Sequence, residues 1–73
     1  MIYKYEVPRK EKKKYKGKSI LYCKVEDAIN MGNGIVLLRV KNLNLEKESD
    51  YFLNTELKKL NLLDRLKVLL YII

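Results

Sequence analysis

Gly32-Asn33-Gly34, followed by Ile35-Val36-Leu37-Leu38-Arg39-Val40-Lys41, is the stretch that decides the fold of this chain. The glycines and the asparagine tolerate positive φ, so the backbone is expected to reverse there. The run that follows is mostly β-branched or large and apolar, which favours a strand over Gly34 to Lys41. Its two faces differ. Val36, Leu38 and Val40 make a wholly apolar face, whereas Ile35, Leu37, Arg39 and Lys41 shift from apolar to basic along the other.

Upstream of this strand the same alternation occurs twice. Ser19 to Val25 places Leu21, Cys23 and Val25 on one face and Ile20, Tyr22 and Lys24 on the other. Ile2 to Val7 sets Tyr3, Tyr5 and Val7 against Ile2, Lys4 and Glu6, and Pro8 ends it. Between these strands, Arg9 to Lys18 has no apolar side chain except Tyr15 and reads as a solvated loop. Glu26 to Met31 is expected to form one helical turn before the reversal. Asn42 to Asp50 is a polar, acidic connector anchored by Leu43 and Leu45, and Tyr51 to Leu53 offers a short fourth strand.

The last third has helical spacing, but not of one regular helix. Leu53, Leu57 and Leu60 share one stripe, while Leu62, Leu63, Leu66, Leu69, Leu70 and Ile73 form another, turned well away from it. The change of face falls at Asn61, a good N-cap, with Asp64 placed to favour the positive end of a new helix. A break is therefore expected near Asn61, with Ser49 or Asn54 capping the first segment. A final strand over Val68 to Ile73 is the competing reading, because a short apolar run has no decisive period. The expected fold is α+β: a small antiparallel sheet of three strands, or four with Tyr51 to Leu53, covered on one face by a broken C-terminal helix.

A chain of 73 residues makes one small domain, residues 1–73, with a thin margin of stability. Disulfides and metals commonly supplement scaffolds of this size. Neither suits this sequence, which has one cysteine, Cys23, and no histidine. Oligomerisation is the remaining device, so a homodimer is expected. The first residues lack the apolar core of a signal peptide, and Val68 to Ile73 falls far short of the roughly 20 residues a membrane span needs. A cytoplasmic protein without a membrane partner is the resulting expectation.

Charge is concentrated at one end. Lys4, Arg9, Lys10, Lys12, Lys13, Lys14, Lys16 and Lys18 are eight of sixteen basic residues and face only Glu6 and Glu11, which gives this segment six of the chain's seven net positive charges. A density of this kind raises the local concentration of polyanions and is often disordered until neutralised. Tyrosines interleave with these lysines. If Leu21, Cys23 and Val25 face inward, Tyr22 lies on the other face beside Lys24, Arg39, Lys41 and Lys4, where its ring is placed to stack on a base.

Catalysis has little support. Acid/base chemistry most often uses His, which is absent, and Cys23 sits on the inward face of a strand as a small hydrophobe. Gly32-Asn33-Gly34 lacks the lysine and helix of a nucleotide cradle, and neither Glu26-Asp27 nor Glu46 to Asp50 has calcium-loop spacing. No cofactor or metal is expected. The leading expectation is a non-catalytic nucleic-acid-binding protein, for DNA or RNA, contacting its ligand through Arg9, Lys10, Lys12, Lys13, Lys14, Lys16 and Lys18, with Tyr22, Lys24, Arg39 and Lys41 on the sheet face. The alternative is a protein-interaction module, either a complex subunit or a microbial or viral inhibitor. It would bind through its apolar C-terminus or present the basic loop to an acidic protein surface. The contact residues expected at that C-terminus are Val68, Tyr71 and Ile72, left over once the leucine stripe is laid on the sheet.

Overall fold

The computed structural model describes residues 1–46 and 49–72. It is an α+β fold: a four-stranded antiparallel sheet in the order β1 (Ile2–Glu6), β2 (Ile20–Gly32), β3 (Ile35–Asn42), β4 (Ser49–Leu53), followed by helix α1 (Leu62–Ile72). The reversal between β2 and β3 is a two-residue turn. Asn33 and Gly34 take φ of 55° and 75°, the pair of left-handed residues that matches the twist of a tight hairpin.

Glu26 to Met31 is not a helical turn but the far half of β2, which runs for 13 residues. The tight turn supplies the reason, because it sets Gly32 against Ile35 and zips the residues before it onto β3. A register shift between Val25 and Asp27 admits one extra residue there, so Ala28 and Asn30 continue the face of Cys23 and Val25.

The sheet is strongly curled. Tyr5 on β1 and Phe52 on β4 belong to the first and last strands, yet their ring centroids are 4.3 Å apart. The concave face holds the core: Tyr5, Val7, Leu21, Cys23, Val40 and Phe52, with Val25, Leu38, Leu45 and Leu57 packed against it. After β4 the chain makes a 3-10 turn, Asn54–Glu56, and then runs along the outer edge of β1, where Lys4 and Lys58 exchange backbone hydrogen bonds of 2.9 and 2.8 Å. This covers an edge that would otherwise offer unpaired backbone groups. It also replaces the first helical segment expected from Leu53, Leu57 and Leu60.

The segment from Arg9 to Lys18 closes the core from the other end. It is an ordered chain of turns, opening with a 3-10 turn at Arg9–Glu11 and ending with Lys16 and Gly17 at φ of 54° and 79°. The Gly17 amide donates to the Lys12 carbonyl at 2.7 Å and the Lys18 amide to that of Tyr15 at 3.0 Å. Tyr15 is 1% exposed and meets Tyr5 edge-on at 6.1 Å between centroids, so the solvated loop of the sequence reading is in fact the lid of the core. The buried Tyr15 ring and the bond from the Tyr5 hydroxyl to Glu11 tie this segment to the core.

Helix α1 lies on the convex face, over Lys4 and Tyr22. Asn61 caps it as expected: the Asp64 amide donates to Asn61 Oδ1 at 2.8 Å, and the Asn61 amide donates back to Asp64 Oδ2 at 3.1 Å, a reciprocal capping box. Val68 is 4% exposed, so its expected place in a solvent-facing contact is corrected. The rotation of the helix follows from its polar residue. Asp64 must reach Lys4 and Tyr22, and Val68, four positions on, turns inward with it, while Tyr71 sets its ring 6.1 Å from that of Tyr22 and stays 47% exposed. The leucines are consequently left outside. The side chain of Ile72, and all of Ile73, lie outside the described residues, as do Lys47 and Glu48 within the acidic connector.

Candidate nucleic-acid interface

The structure divides the expected basic residues into two surfaces and removes two residues from both. Arg9, Lys10, Lys12, Lys13, Lys14, Lys16 and Lys18 are all exposed on the 9–18 lid. Among the described residues no ion pair engages any of them. The only acid within that segment is Glu11, and its carboxylate accepts the Tyr5 hydroxyl at 3.2 Å rather than neutralising a neighbour. Lys14 Nζ stands 5.4 Å from the centre of the Tyr15 ring, a cation–π contact that orients one ammonium over the buried aromatic. The result is a dense set of cations on a turn whose backbone is hydrogen-bonded within itself.

The second surface is on the convex side of the sheet. Lys24 on β2 is directly opposite Lys41 on β3, and Arg39 on β3 is directly opposite Tyr51 on β4. All four side chains are exposed, Tyr51 to 56%. Like charges facing each other across a ladder are unfavourable, and no acidic residue separates Lys24 from Lys41 in that pairing. Asp27, also opposite Arg39, is the nearest acid by strand pairing. This surface and the 9–18 lid are on opposite faces of the sheet, because Tyr15 packs on the concave side.

Tyr22 and Lys4 do not belong to this surface. Tyr22 is 4% exposed beneath α1, its ring 6.1 Å from that of Tyr71 and its hydroxyl donating to Asp64 Oδ1 at 3.1 Å. Burial, together with the Asp64 carboxylate, raises its pKa. Its expected role as an exposed stacking residue is therefore corrected, because α1 lies on this face and covers it. Lys4 donates to Asp64 Oδ2 at 2.8 Å. The aromatic that does stand among the cations is Tyr51. Its signal was present in the alternation Asp50, Tyr51, Phe52, Leu53, where an apolar anchor at Phe52 forces Tyr51 to the opposite side.

The one thiol of the chain lies in the core. Cys23 is fully buried, its thiol donating to Asn42 Oδ1 at 3.4 Å, and desolvation pushes its pKa up to about 12. Among the described residues no group of three or more His, Cys, Asp or Glu side chains is placed to hold a metal ion, and no helix is long and apolar enough to cross a membrane. No protein-family model matches the chain, and neither the curated proteins nor the solved structures contain a significant match to it.

Proposed function

We propose that this chain is a non-catalytic nucleic-acid-binding protein whose principal contact is the 9–18 lid. The observation that supports the reading is the set of seven exposed cations on a turn anchored by Tyr15, buried to 1%. A pre-ordered cationic surface meets phosphates without the ordering cost that a flexible basic tail carries, and it gives contacts to backbone rather than to bases. Lys24, Arg39 and Lys41 form the accessory surface, where Tyr51 supplies the flat face on which an unpaired base stacks. An acidic protein surface is the other polyanion that such a lid attracts, and the binding experiment separates the two.

Binding of fluorescent single-stranded and duplex oligonucleotides is measured by anisotropy over a range of salt. With about five phosphates neutralised, log K falls against log salt with a slope near −4 to −5 for duplex and less for single strands. The quadruple change of Lys12, Lys13, Lys14 and Lys16 to Ala weakens binding to all sequences alike and flattens the slope. Affinity that survives this change, or the absence of binding at low salt, overturns the reading.

A further inference from the structure

Because Asp64 and Val68 turn toward the sheet, α1 presents five leucines to water on its opposite side: Leu62, Leu63, Leu66, Leu69 and Leu70 are 75, 68, 55, 49 and 79% exposed, while Tyr71, 47% exposed, lies off this stripe against Tyr22. Together they amount to roughly 600 Å² of apolar surface, at the upper end of what monomeric proteins show. We infer that this stripe is a self-association surface, and that its occupant is the same stripe of a second copy, packed antiparallel about a two-fold axis through Leu66. The inference is independent of the nucleic-acid reading, since it uses none of the same residues.

The sequence of the stripe selects a second copy. Relative to Leu66 the leucines fall at −4, −3, +3 and +4, so the pattern is symmetric about its own centre. A two-fold contact sets residue i against j and j against i. With Leu66 on the axis, Leu62 of one copy meets Leu70 of the other and Leu63 meets Leu69, and every contact is leucine on leucine at the three-and-four spacing of a helix seam. Area agrees. Two stripes together bury roughly 1,200 Å², the lower bound of stable specific interfaces, and roughly a tenth of each copy's 5515 Å² surface is used. Burial of this kind also supplies the stabilisation that a domain of 73 residues with no disulfide needs.

Charge gives the contact a distinctive signature. The charged residues bordering the stripe, Arg65 and Lys67, are both basic and exposed. Two copies therefore repel weakly at their rims, and salt tightens their association by screening. An acidic partner helix on the same stripe would show the reverse.

Cross-linking in the intact chain tests the geometry, with sedimentation equilibrium at low and high salt beside it. Under oxidation Leu66→Cys forms a disulfide between copies, whereas Leu62→Cys alone does not, because the two copies of that position are about 12 Å apart along an antiparallel pair. Mixing Leu62→Cys with Leu70→Cys restores the cross-link, and wild type, with Cys23 buried, gives none. Leu66→Glu, at a solvent-facing position, keeps the far-ultraviolet spectrum and weakens association at least about tenfold. Wild-type mass rises toward that of a dimer with concentration, and more so in high salt. A monomer at every concentration, equal self-linking of Leu62→Cys and Leu66→Cys, or mass that falls with salt overturns the inference.

Discussion

The Tyr22 hydroxyl donates to Asp64 Oδ1 at 3.1 Å, joining the middle of β2 to the first turn of α1 across 42 positions of sequence. The other carboxylate oxygen accepts Lys4 Nζ at 2.8 Å and the Asn61 amide at 3.1 Å. One side chain thus caps the helix, pairs the only partly buried lysine of β1 and fixes which side of the helix faces the sheet. Each partner is a hydrogen-bond donor, so the carboxylate is held in its charged form. The leucine stripe is outside because this aspartate is inside.

Removal of Asp64 is therefore expected to be costly. Asp64→Ala deletes a capping box and leaves the Lys4 ammonium, whose side chain is 14% exposed, without its partner. A loss of about 2–4 kcal/mol is expected from comparable changes, seen as a fall of about 10 °C or more in melting temperature. Tyr22→Phe removes a single hydrogen bond and loses about 1 kcal/mol. Denaturant titration of both variants checks the ranking, and an Asp64→Ala domain as stable as wild type would show that α1 docks by other means.

Acid denaturation follows from the same cluster. The hydrogen bond from Lys4, then the Asn61 amide and the Tyr22 hydroxyl, hold the Asp64 carboxyl below its ordinary value of 3.8. A carboxyl depressed on folding contributes stability that is fully present above its unfolded value and is lost as pH falls through the folded one. Wild type should weaken from about pH 4 downward. Asp64→Asn should show a flatter acid limb, measured as stability against pH.

At the alkaline end the buried phenols act with the opposite sign. Burial, with Glu11 next in importance, raises Tyr5 from 10.0 to about 12. Burial and then Asp50 raise Tyr15, and burial raises Cys23 from 9.0 to about 12. A group raised on folding contributes stability that is fully present below its unfolded pKa and is lost as pH rises through the folded value. From about pH 9, and more steeply between pH 10 and 12, the fold should therefore loosen, with tyrosinate absorbance and Cys23 labelling by a thiol reagent appearing together. Labelling of Cys23 at neutral pH at the rate of a free thiol would contradict its burial.

Local pattern made the strands and the helix cap legible, and long-range pairing hid the rest. Alternation at Tyr3, Tyr5 and Val7, the strand from Ile35, and the Asn61 and Asp64 cap each depend on neighbours in sequence, and each stands as read. The turn expected over Glu26 to Met31 failed because the neighbouring hairpin pairs those residues onto β3, and the other failures depended on partners far away. From its neighbours alone Asp64 reads as a helix N-terminal acid in solvent, a rotation that hides the leucines and leaves Tyr22 in water. Tyr15 looked like one ring among lysines, because nothing within ten residues reveals the open end of a curled sheet that it fills. The basic residues themselves were found by composition, which needs no fold; their separation onto two faces could not be.

Tyr15 is the support of the lid, and its removal should separate order from charge. Tyr15→Ala leaves all seven cations in place but vacates a fully buried aromatic site, a change that costs about 3–5 kcal/mol in comparable cores. If the domain still folds at low temperature, hydrogen exchange of the Gly17 and Lys18 amides should rise by orders of magnitude while that of Val40 rises less. Tyr15→Phe keeps the ring and should keep the lid ordered, so the pair distinguishes a fixed cationic surface from a mobile one in the same binding assay.

The last prediction sets Tyr51 against Tyr22. Tyr51 is exposed, pairs across the ladder with Arg39 and contributes little to the core, so Tyr51→Ala should leave the melting temperature within a few degrees of wild type. If unpaired bases stack on its ring, the same change lowers single-strand affinity by about 1–3 kcal/mol and duplex affinity much less. Tyr22→Ala should do the opposite. It opens a cavity between sheet and helix, strips a donor from Asp64 and destabilises the fold, yet it leaves single-strand affinity per folded molecule unchanged. Anisotropy with a short pyrimidine oligonucleotide, corrected for the folded fraction from circular dichroism, reads both effects. Equal single-strand affinity for Tyr51→Ala and wild type would confine binding to the lid and leave the convex face without a role in stacking.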